Sequence, residues 1–144
     1  MNRIAYPAKL TYSRQDKEYL AEFPDLEGCL TSGGTKDEAL VMAGEALSGY
    51  LASIFESGFP IPAPSKLKGK NIYYIEPEVA VATSIMLRQI REEQHLSQED
   101  IAKKLHISYQ AYQKLEHPLK ANPTLKTLEK MAEVLDRKLV VEFV

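Results

Sequence analysis

The sequence predicts an α+β protein in which a strand-rich N-terminal half precedes a helical C-terminal half. Near the N-terminus apolar residues recur at every second position, which is typical of half-buried strands. Further along they recur at steps of three and four, which is typical of amphipathic helices. Near Pro77 strand patterns give way to helical ones, and this change divides the chain into predicted domains of residues 1–76 and 77–144.

Three short strands are predicted first. The stretch IAYPAKLTY alternates, and its apolar face consists of Ile4, Tyr6, Ala8, Leu10 and Tyr12. Pro7 falls in the other register and cannot donate a ladder hydrogen bond, which favours an edge position for this strand. The stretch EYLAEF (18–23) follows a short polar turn and predicts the second half of a hairpin, and GCLTS (28–32) predicts a third strand.

A long helix and a fourth strand complete the first half. Apolar residues follow helical spacing across residues 35–58, where Thr35 and Glu38 form a capping-box pattern and Gly58 predicts the end of the helix. After a proline-rich segment, NIYYIEP (71–77) predicts another strand. The predicted order of the first half is therefore β-β-β-α-β.

Helical patterns dominate the second half. The predicted helices cover residues 79–96, 97–106, 108–116 and 124–136. Ser97 is the predicted N-cap of the second of these helices, with Asp100 at its third helical position. The final stretch, KLVVEFV (138–144), is β-branched and apolar and predicts a strand.

The middle of the second half resembles the helix-turn-helix of Cro and phage-repressor-type regulators, over about residues 84–137. The first helix has apolar or small residues where the two helices approach closely, namely Ile101, Ala102 and Leu105. By this resemblance Ile107 plugs the turn, and Tyr112 and Leu115 face the core from the second helix. His106 stands at the turn, where such families often have a glycine because a positive φ costs glycine little.

The same resemblance implies an ion pair and a DNA-binding surface. It pairs Arg91, late in the opening helix, with Glu116, late in the recognition helix. A recognition helix presents its first exposed residues to base edges in the major groove. The candidates for base contacts are Tyr109, Gln110, Gln113 and Lys114. The candidates for phosphate contacts are Gln98, Lys120 and Lys126.

Charge favours DNA binding by two copies rather than one. The whole chain has a net charge of −2, so that no global field attracts it to nucleic acid. Residues 101–131 carry six lysines against two glutamates, a local charge of +4 that predicts weak binding by a single copy. A homodimer on a palindromic site would solve this, and the terminal strand predicts pairing through Leu139, Val140, Val141 and Phe143.

The stretch FPDLEGCLTSGG (23–34) contains the only cysteine, two acids and three glycines. Pro24 and Asp25 favour a turn. Cys29 is expected to be a small buried residue, since no Lys, Arg or His lies close in sequence to lower its pKa. A two-metal nuclease needs several converging acids, and the first strand has none. No two histidines are spaced at i, i+4, and no metal, cofactor or catalytic residue is predicted.

The predicted strand and helix order, together with residues 23–51, resembles the HicB antitoxin family. The matching residues are Phe23, Pro24, Asp25, Leu26, Gly28, Cys29, Thr31, Gly33, Thr35, Glu38, Ala39, Ala43, Ala46 and Leu47. The segment IPAPS (61–65) also matches, whereas Glu27 stands where the family more often has a proline. With the helix-turn-helix, the resemblance covers nearly the whole chain.

The resemblance implies a non-enzymatic antitoxin of a type II toxin–antitoxin pair. Its N-terminal domain would have a reduced ribonuclease-H-like fold without catalytic carboxylates, and would bind a HicA-type toxin that cleaves messenger RNA. As a dimer, or in a higher-order assembly with the toxin, it would repress its operon by binding operator DNA. Phe23, Asp25 and Glu27 are the candidates for toxin contacts, because the turn is expected to be exposed and acids suit a basic partner. No apolar run approaches a membrane span or a signal peptide, which predicts a cytoplasmic location.

Other classes of function stay open. One is a free-standing transcription regulator whose N-terminal domain senses a small ligand. Another is an enzyme built on the ribonuclease-H-like half, which would require metal-dependent RNA cleavage that is lost in Asp25→Ala. The tyrosines of the first half are expected in the core or an interface, and an RNA-stacking surface is their alternative role. They are Tyr6, Tyr12, Tyr19, Tyr50, Tyr73 and Tyr74.

Overall fold

The computed structural model describes residues 4–144, so that residues 1–3 of the predicted N-terminal domain lie outside the described part. Within it the strands are β1 (Tyr6–Ser13), β2 (Glu18–Glu22), β3 (Leu30–Gly33) and β4 (Ile72–Ile75). The helices are α1 (Lys36–Glu56), α2 (Val79–Glu93), α3 (Gln98–Leu105), α4 (Tyr109–Leu115) and α5 (Leu125–Val134). The predicted α+β class and the β-β-β-α-β order of the first half are confirmed. Among residues 4–144 no helix is long and apolar enough to cross a membrane.

The four strands form one antiparallel sheet in the order β3-β2-β1-β4. Ala21 of β2 lies opposite Leu10 of β1 on one side and opposite Thr31 of β3 on the other. The predicted apolar face of β1 is buried at Tyr6, Ala8 and Leu10. Buried residues of α1 complete this core, namely Ala39, Ala43, Leu47, Leu51 and Ala52. One face of the sheet therefore packs on α1, as alternating strands and an amphipathic helix require.

The edge position that Pro7 predicted for β1 is wrong, because β1 lies between β2 and β4. The Leu10 N–H donates to the Asn71 carbonyl oxygen on the β4 side, at 2.8 Å. Since alternate residues direct their N–H groups to opposite sides of a strand, the nitrogen of Pro7 faces the β2 side. There the pairing ends at Glu22 opposite Lys9, so that the missing donor of Pro7 breaks no ladder bond.

Helix α1 begins and ends where the sequence predicts. The Thr35 hydroxyl accepts a hydrogen bond from the Glu38 N–H at 3.1 Å, and the Glu38 carboxylate accepts one from the Gly34 N–H at 3.2 Å. At the other end Gly58 adopts a φ of +76°, a conformation that favours glycine, and its N–H donates to the Phe55 carbonyl. These caps satisfy backbone groups that a helix leaves without partners at its ends.

The C-terminal half forms a helical core around buried side chains of four helices, to which α2 contributes Leu87. Ile101, Tyr112, Met131 and Leu135 are each at most 1% exposed. Leu115 is partly buried against this cluster, so that the predicted inward positions of Tyr112 and Leu115 are confirmed. The prediction that Ile107 plugs the turn is wrong, because its side chain is 37% exposed.

The turn between α3 and α4 contains the non-glycine residue that the sequence indicated. His106 has a φ of +58°, and the next N–H, that of Ile107, donates to the Ala102 carbonyl at 3.0 Å. His95 after α2 and Asp136 after α5 also adopt positive φ values. All three follow the last turn of a helix, where a left-handed residue lets the chain satisfy late carbonyl groups.

The chain divides into two compact units between Ala82 and Thr83. This division falls six residues after the boundary predicted from the change in pattern. The N-terminal part of α2 explains the difference, because the Glu78 N–H donates to the Ser48 hydroxyl of α1 at 2.8 Å and Val81 is buried. The first turn of α2 is therefore tied to the N-terminal unit.

Residues 137–144 form no strand within the described chain. Val140, Val141 and Phe143 are 63%, 58% and 100% exposed, whereas Leu139 is half-buried. A strand exists only when its backbone groups pair with another strand, and none of the described strands pairs with this segment. Pairing with a second copy stays a prediction.

Candidate nucleic-acid and partner interfaces

The recognition helix α4 is held in place by a buried ion pair. The Arg91 guanidinium donates to the Glu116 carboxylate through two nitrogens, at 2.8 and 2.9 Å. Its third nitrogen donates to the Leu96 carbonyl at 2.8 Å. The side chain of Glu116 is 1% exposed. The predicted pair is confirmed, and its two parallel hydrogen bonds fix the end of α4 against the end of α2 in orientation as well as distance.

Short polar side chains fix the first turns of α3 and α4. Ser97 and Asp100 form a complete capping box, with hydrogen bonds of 3.0 and 2.9 Å. The backbone and hydroxyl of Ser97 hold the pKa of the Asp100 carboxyl below its usual value. The Ser108 hydroxyl accepts from the Ala111 N–H at 3.1 Å and caps α4. Both helices of the helix-turn-helix therefore begin at defined residues.

The exposed face of α4 is polar. Gln110, Gln113 and Lys114 are exposed, and Tyr109 is 39% exposed. The Tyr109 hydroxyl donates to the Gln98 side-chain oxygen at 3.4 Å, which brings the starts of α3 and α4 together. Three of the seven predicted DNA contacts, Gln98, Tyr109 and Gln110, thus lie at these two helix starts, and Gln113 and Lys114 follow in the second half of α4. Their contact with DNA stays a prediction.

The other two predicted phosphate contacts lie further along the chain. Lys120 follows α4 and Lys126 is in the first turn of α5, and both are exposed. Ala111 was not predicted, yet it is exposed in the first turn of α4. Its methyl group is suited to apolar contact with a thymine methyl. Ser108 is a residue type that favours the N-cap position, and a helix that begins after Ser108 places Ala111 in its first turn.

The predicted exposure of the turn after β2 holds for only part of it. Phe23 is 2% exposed and belongs to the core, so that its expected exposure is wrong. The ring continues the inward face of β2 two residues beyond the buried Ala21, and this apolar face packs beneath α1. Asp25 is half-buried, and Glu27 is exposed. Of the three predicted toxin contacts, Glu27 has the most accessible side chain.

The Asp25 carboxylate binds the proline-rich loop. It accepts hydrogen bonds from the Ser65 N–H, at 2.8 Å, and from the Ser65 hydroxyl. The Tyr6 hydroxyl donates to the Pro62 carbonyl of the same loop. Burial and the nearby Asp25 charge raise the pKa of Tyr6. Asp25 therefore has a clear structural task, which sequence spacing could not indicate because its partner is 40 residues away.

Cys29 is a buried thiol. It is 3% exposed, and burial raises its pKa from 9.0 to about 11. The thiolate is the nucleophilic form of cysteine, so that this environment opposes nucleophilic chemistry at neutral pH. The expected packing role is confirmed.

The three histidines lie apart at the ends of successive helices. His95 follows α2, His106 follows α3 and His117 follows α4. Within residues 4–144 no three His, Cys, Asp or Glu side chains converge as a metal site would require.

Comparison with known proteins assigns each half to a family. Residues 5–82 match the family model described as the HicB_like antitoxin of bacterial toxin–antitoxin systems. Residues 87–141 match a helix-turn-helix family model. These ranges correspond to the sheet with α1 and to the helical core.

Two relatives and one solved structure match over most of the chain. Antitoxin HicB 1 of Photorhabdus laumondii is 26% identical over 141 residues, which cover 98% of this chain and 88% of the relative. Antitoxin HicB of Escherichia coli K12 is 30% identical over 102 residues, which cover 71% of this chain and 72% of the relative. A chain of the toxin–antitoxin complex from Streptococcus pneumoniae is 25% identical, with a TM-score of 0.46 over 91% of this chain and 98% of that one. On the family model that matches residues 5–82 and the 30% identity to the Escherichia coli relative, the chain belongs to the HicB-like antitoxin family, and it carries a C-terminal helix-turn-helix domain.

Proposed function

We propose that this chain binds and neutralises a HicA-type toxin that cleaves messenger RNA, and represses its own operon by binding operator DNA as a dimer. Neither activity requires catalysis by the chain itself. Membership of the antitoxin family supports the first activity, and the helix-turn-helix supports the second.

The exposed polar face of α4 is the observation that carries the DNA-binding proposal. Gln110 has a free amide that can form a bidentate bond with adenine, and Lys114 can donate to guanine. Since the Arg91–Glu116 pair fixes the end of the helix, these side chains start from a rigid support. A rigid recognition helix loses little entropy when it enters the major groove.

Dimerisation would double the number of phosphate contacts. The exposed C-terminal segment, with Val140, Val141 and Phe143, is the proposed contact between copies. Pairing of two such segments would satisfy their backbone groups and bury apolar side chains. The two recognition helices would then address the two halves of a palindrome.

For the toxin, Glu27 is the proposed direct contact, since Phe23 is buried. Its carboxylate is exposed in the turn before β3, and a protein that binds RNA carries basic groups that attract acids. Asp25 is proposed to act there by shaping the loop that it binds rather than as a free charge.

The test is co-purification of the chain with the product of its neighbouring gene, followed by a gel shift on their shared upstream DNA. We expect a stable complex that shifts the DNA. Gln110→Ala should reduce operator affinity by at least about fivefold, since a bidentate base contact is worth about 1–3 kcal/mol, and should retain the protein complex. The matched control is Gln15→Ala, which removes an exposed amide from the N-terminal unit.

Each half of the proposal can fail separately. A chain that shifts DNA but binds no neighbouring protein would reject the antitoxin activity and favour a ligand-sensing regulator. A toxin complex that shifts no DNA would reject autorepression. Equal losses in Gln110→Ala and Gln15→Ala would reject α4 as the recognition helix.

A further inference from the structure

The segment that connects α1 to β4 is the most basic part of the N-terminal unit. Between residues 57 and 75 there are three lysines, Lys66, Lys68 and Lys70, and no acid. The unit as a whole, residues 1–82, has eight basic and eleven acidic residues and a net charge of −3. We call these three lysines the basic segment. A charge of +3 in five residues stands out against the negative charge of the unit.

All three lysines present their charges to solvent. Each is exposed, whereas Leu67 between the first two is half-buried. No hydrogen bond or ion pair joins their ammonium groups to residues 4–144. Lys66 and Lys68 lie in a stretch without helix or strand, and Lys70 lies in the turn that leads into β4. The three charges are therefore available to a polyanion.

The backbone beneath the basic segment is fixed by side chains of the sheet. The Tyr74 hydroxyl accepts from the Leu67 N–H at 2.8 Å and lies within 3.1 Å of the carbonyl oxygens of Ser65 and Leu67. Asp25 holds Ser65 from the other side. A lysine-rich connection that served only as a soluble linker would have no need of these bonds, because linkers function as flexible chains.

The turn that contains Lys70 is attached to the sheet as well. The Ile72 N–H donates to the Gly69 carbonyl at 3.3 Å, and the Leu10 N–H of β1 donates to the Asn71 carbonyl at 2.8 Å. Gly69 has a φ of +156°, which favours glycine. The basic segment is thus held at both ends, which lowers the entropy lost when a ligand orders it.

We propose that the basic segment binds the phosphodiester backbone of a nucleic acid, independently of base sequence. This inference rests on the proposed function, which brings the chain to operator DNA and to a toxin that acts on RNA. Two sources of the same chemistry are therefore possible, the duplex that flanks the operator and an RNA strand. The helix-turn-helix unit, residues 83–144, has ten basic and nine acidic residues, so that additional phosphate contacts would add substantially to affinity.

The experiment measures the salt dependence of binding with the full-length chain. Fluorescence anisotropy with three probes, the operator duplex, a non-operator duplex of equal length and a single-stranded RNA, gives the slope of log K against log salt concentration. The test variant combines Lys66→Gln, Lys68→Gln and Lys70→Gln. If all three lysines contact phosphates, the magnitude of the slope should fall by about 2.7 on duplex DNA or about 2 on the single strand.

Two controls separate this role from net charge. Arg14→Gln, Lys17→Gln and Lys36→Gln together remove the same charge from exposed positions of the same unit and should leave the slope nearly unchanged. Tyr74→Phe keeps every charge but removes the hydroxyl that holds the segment, and should weaken binding about twofold to fivefold. Equal effects of the two triple variants, or no effect of either, would overturn the proposal. No effect of Tyr74→Phe would overturn the role of the fixed backbone.

The probes distinguish the source of the phosphates and the state of the proposed function. A smaller slope on both duplexes assigns the segment to DNA, and a smaller slope on RNA alone assigns it to RNA. Gln110→Ala should reduce the preference for operator over non-operator duplex without changing the slope. If the chain has no preference for the operator at all, the autorepression proposal is rejected. The non-operator and RNA probes still test whether the basic segment binds phosphates.

Discussion

The guanidinium of Arg91 and the carboxylate of Glu116 show how much of this fold depends on single side chains. Glu116 is 1% exposed and its partner 11% exposed, so that both groups have left most of their water behind. Removal of water from a charge costs several kcal/mol unless a partner replaces it. By contrast, Arg88 and Glu92 form an ion pair one turn apart on α2, with Glu92 54% exposed. The N–O distances of the two pairs are similar, but only the Arg91–Glu116 pair is buried. The two pairs should therefore contribute differently to the free energy of unfolding.

We expect Glu116→Gln to lower the free energy of unfolding by at least about 2 kcal/mol, because it leaves the Arg91 charge without a counter-ion in a buried position. Urea denaturation followed by far-UV circular dichroism measures this change. The matched control is Glu92→Gln, for which we expect a change within about 0.5 kcal/mol. Similar losses in both variants would contradict the assigned role of the buried pair.

Cys29 makes a pH-dependent contribution to stability. Its pKa is raised by burial from 9.0 to about 11, so that folding favours the protonated thiol. The stabilisation is complete below pH 9 and is lost as the pH rises through about 11. The free-energy difference between the wild type and Cys29→Ala should therefore shrink across this interval. Tyr6 and Tyr112 also have raised pKa values, but they titrate in both proteins and cancel in the comparison. A constant difference would contradict burial of the thiol.

At the scale of elements, the contact between β3 and α1 depends on the lack of a side chain at one position. A Cβ at Gly33 would lie 2.5 Å from the Ala39 nitrogen and 2.8 Å from its Cα, both of which are backbone atoms that cannot turn aside. The neighbouring Gly34 has more room, since its nearest atom is the Glu38 carboxylate oxygen at 3.4 Å, at the end of a flexible side chain. The two adjacent glycines therefore have different tasks.

Gly33→Ala should lower the free energy of unfolding by about 2 kcal/mol, because the strand and the helix must move apart to admit the methyl group. Gly34→Ala is the matched control, with an expected change below about 0.5 kcal/mol. Thermal unfolding of the full chain measures both. A larger loss of unfolding free energy in Gly34→Ala than in Gly33→Ala would contradict the close contact between Gly33 and the Ala39 backbone.

At the scale of the whole molecule, the proposed assembly depends on residues that one copy leaves exposed. The exposed C-terminal segment contains Val140, Val141 and Phe143, and an apolar segment of this kind is otherwise an aggregation hazard. Leu139 is half-buried and is best retained in any truncation. The helical core itself is closed without residues 140–144, because its buried cluster ends at Leu135.

Removal of residues 140–144 should therefore yield a monomer in which both units remain folded. Light scattering coupled to size exclusion measures the mass, and circular dichroism checks the helices. Operator affinity should fall about tenfold or more, since two linked recognition helices bind far better than one. Glu142→Gln, which keeps the apolar residues, should stay dimeric. A truncated chain that is still a dimer would assign the dimer contact to another surface.

The sequence by itself determined the order of the strands and helices up to α5, the capping residues Thr35 and Ser97, and the pairing of Arg91 with Glu116. These features depend on local periodicity, on contacts a few residues apart, or on the spacing of a known motif. The basic character of the loop before β4 is also readable from residues 66–70 alone.

Only the tertiary structure decided which strands are neighbours and which turn residues are free. Periodicity places Tyr6 on one face of the first strand and Phe23 on one face of the second. It does not show that β1 lies inside the sheet or that Phe23 is buried. The Asp25–Ser65 contact joins residues 40 positions apart, and it forms because the sheet brings the turn and the loop together. Contacts over such distances depend on how all the elements pack, and no local pattern of residues encodes that arrangement.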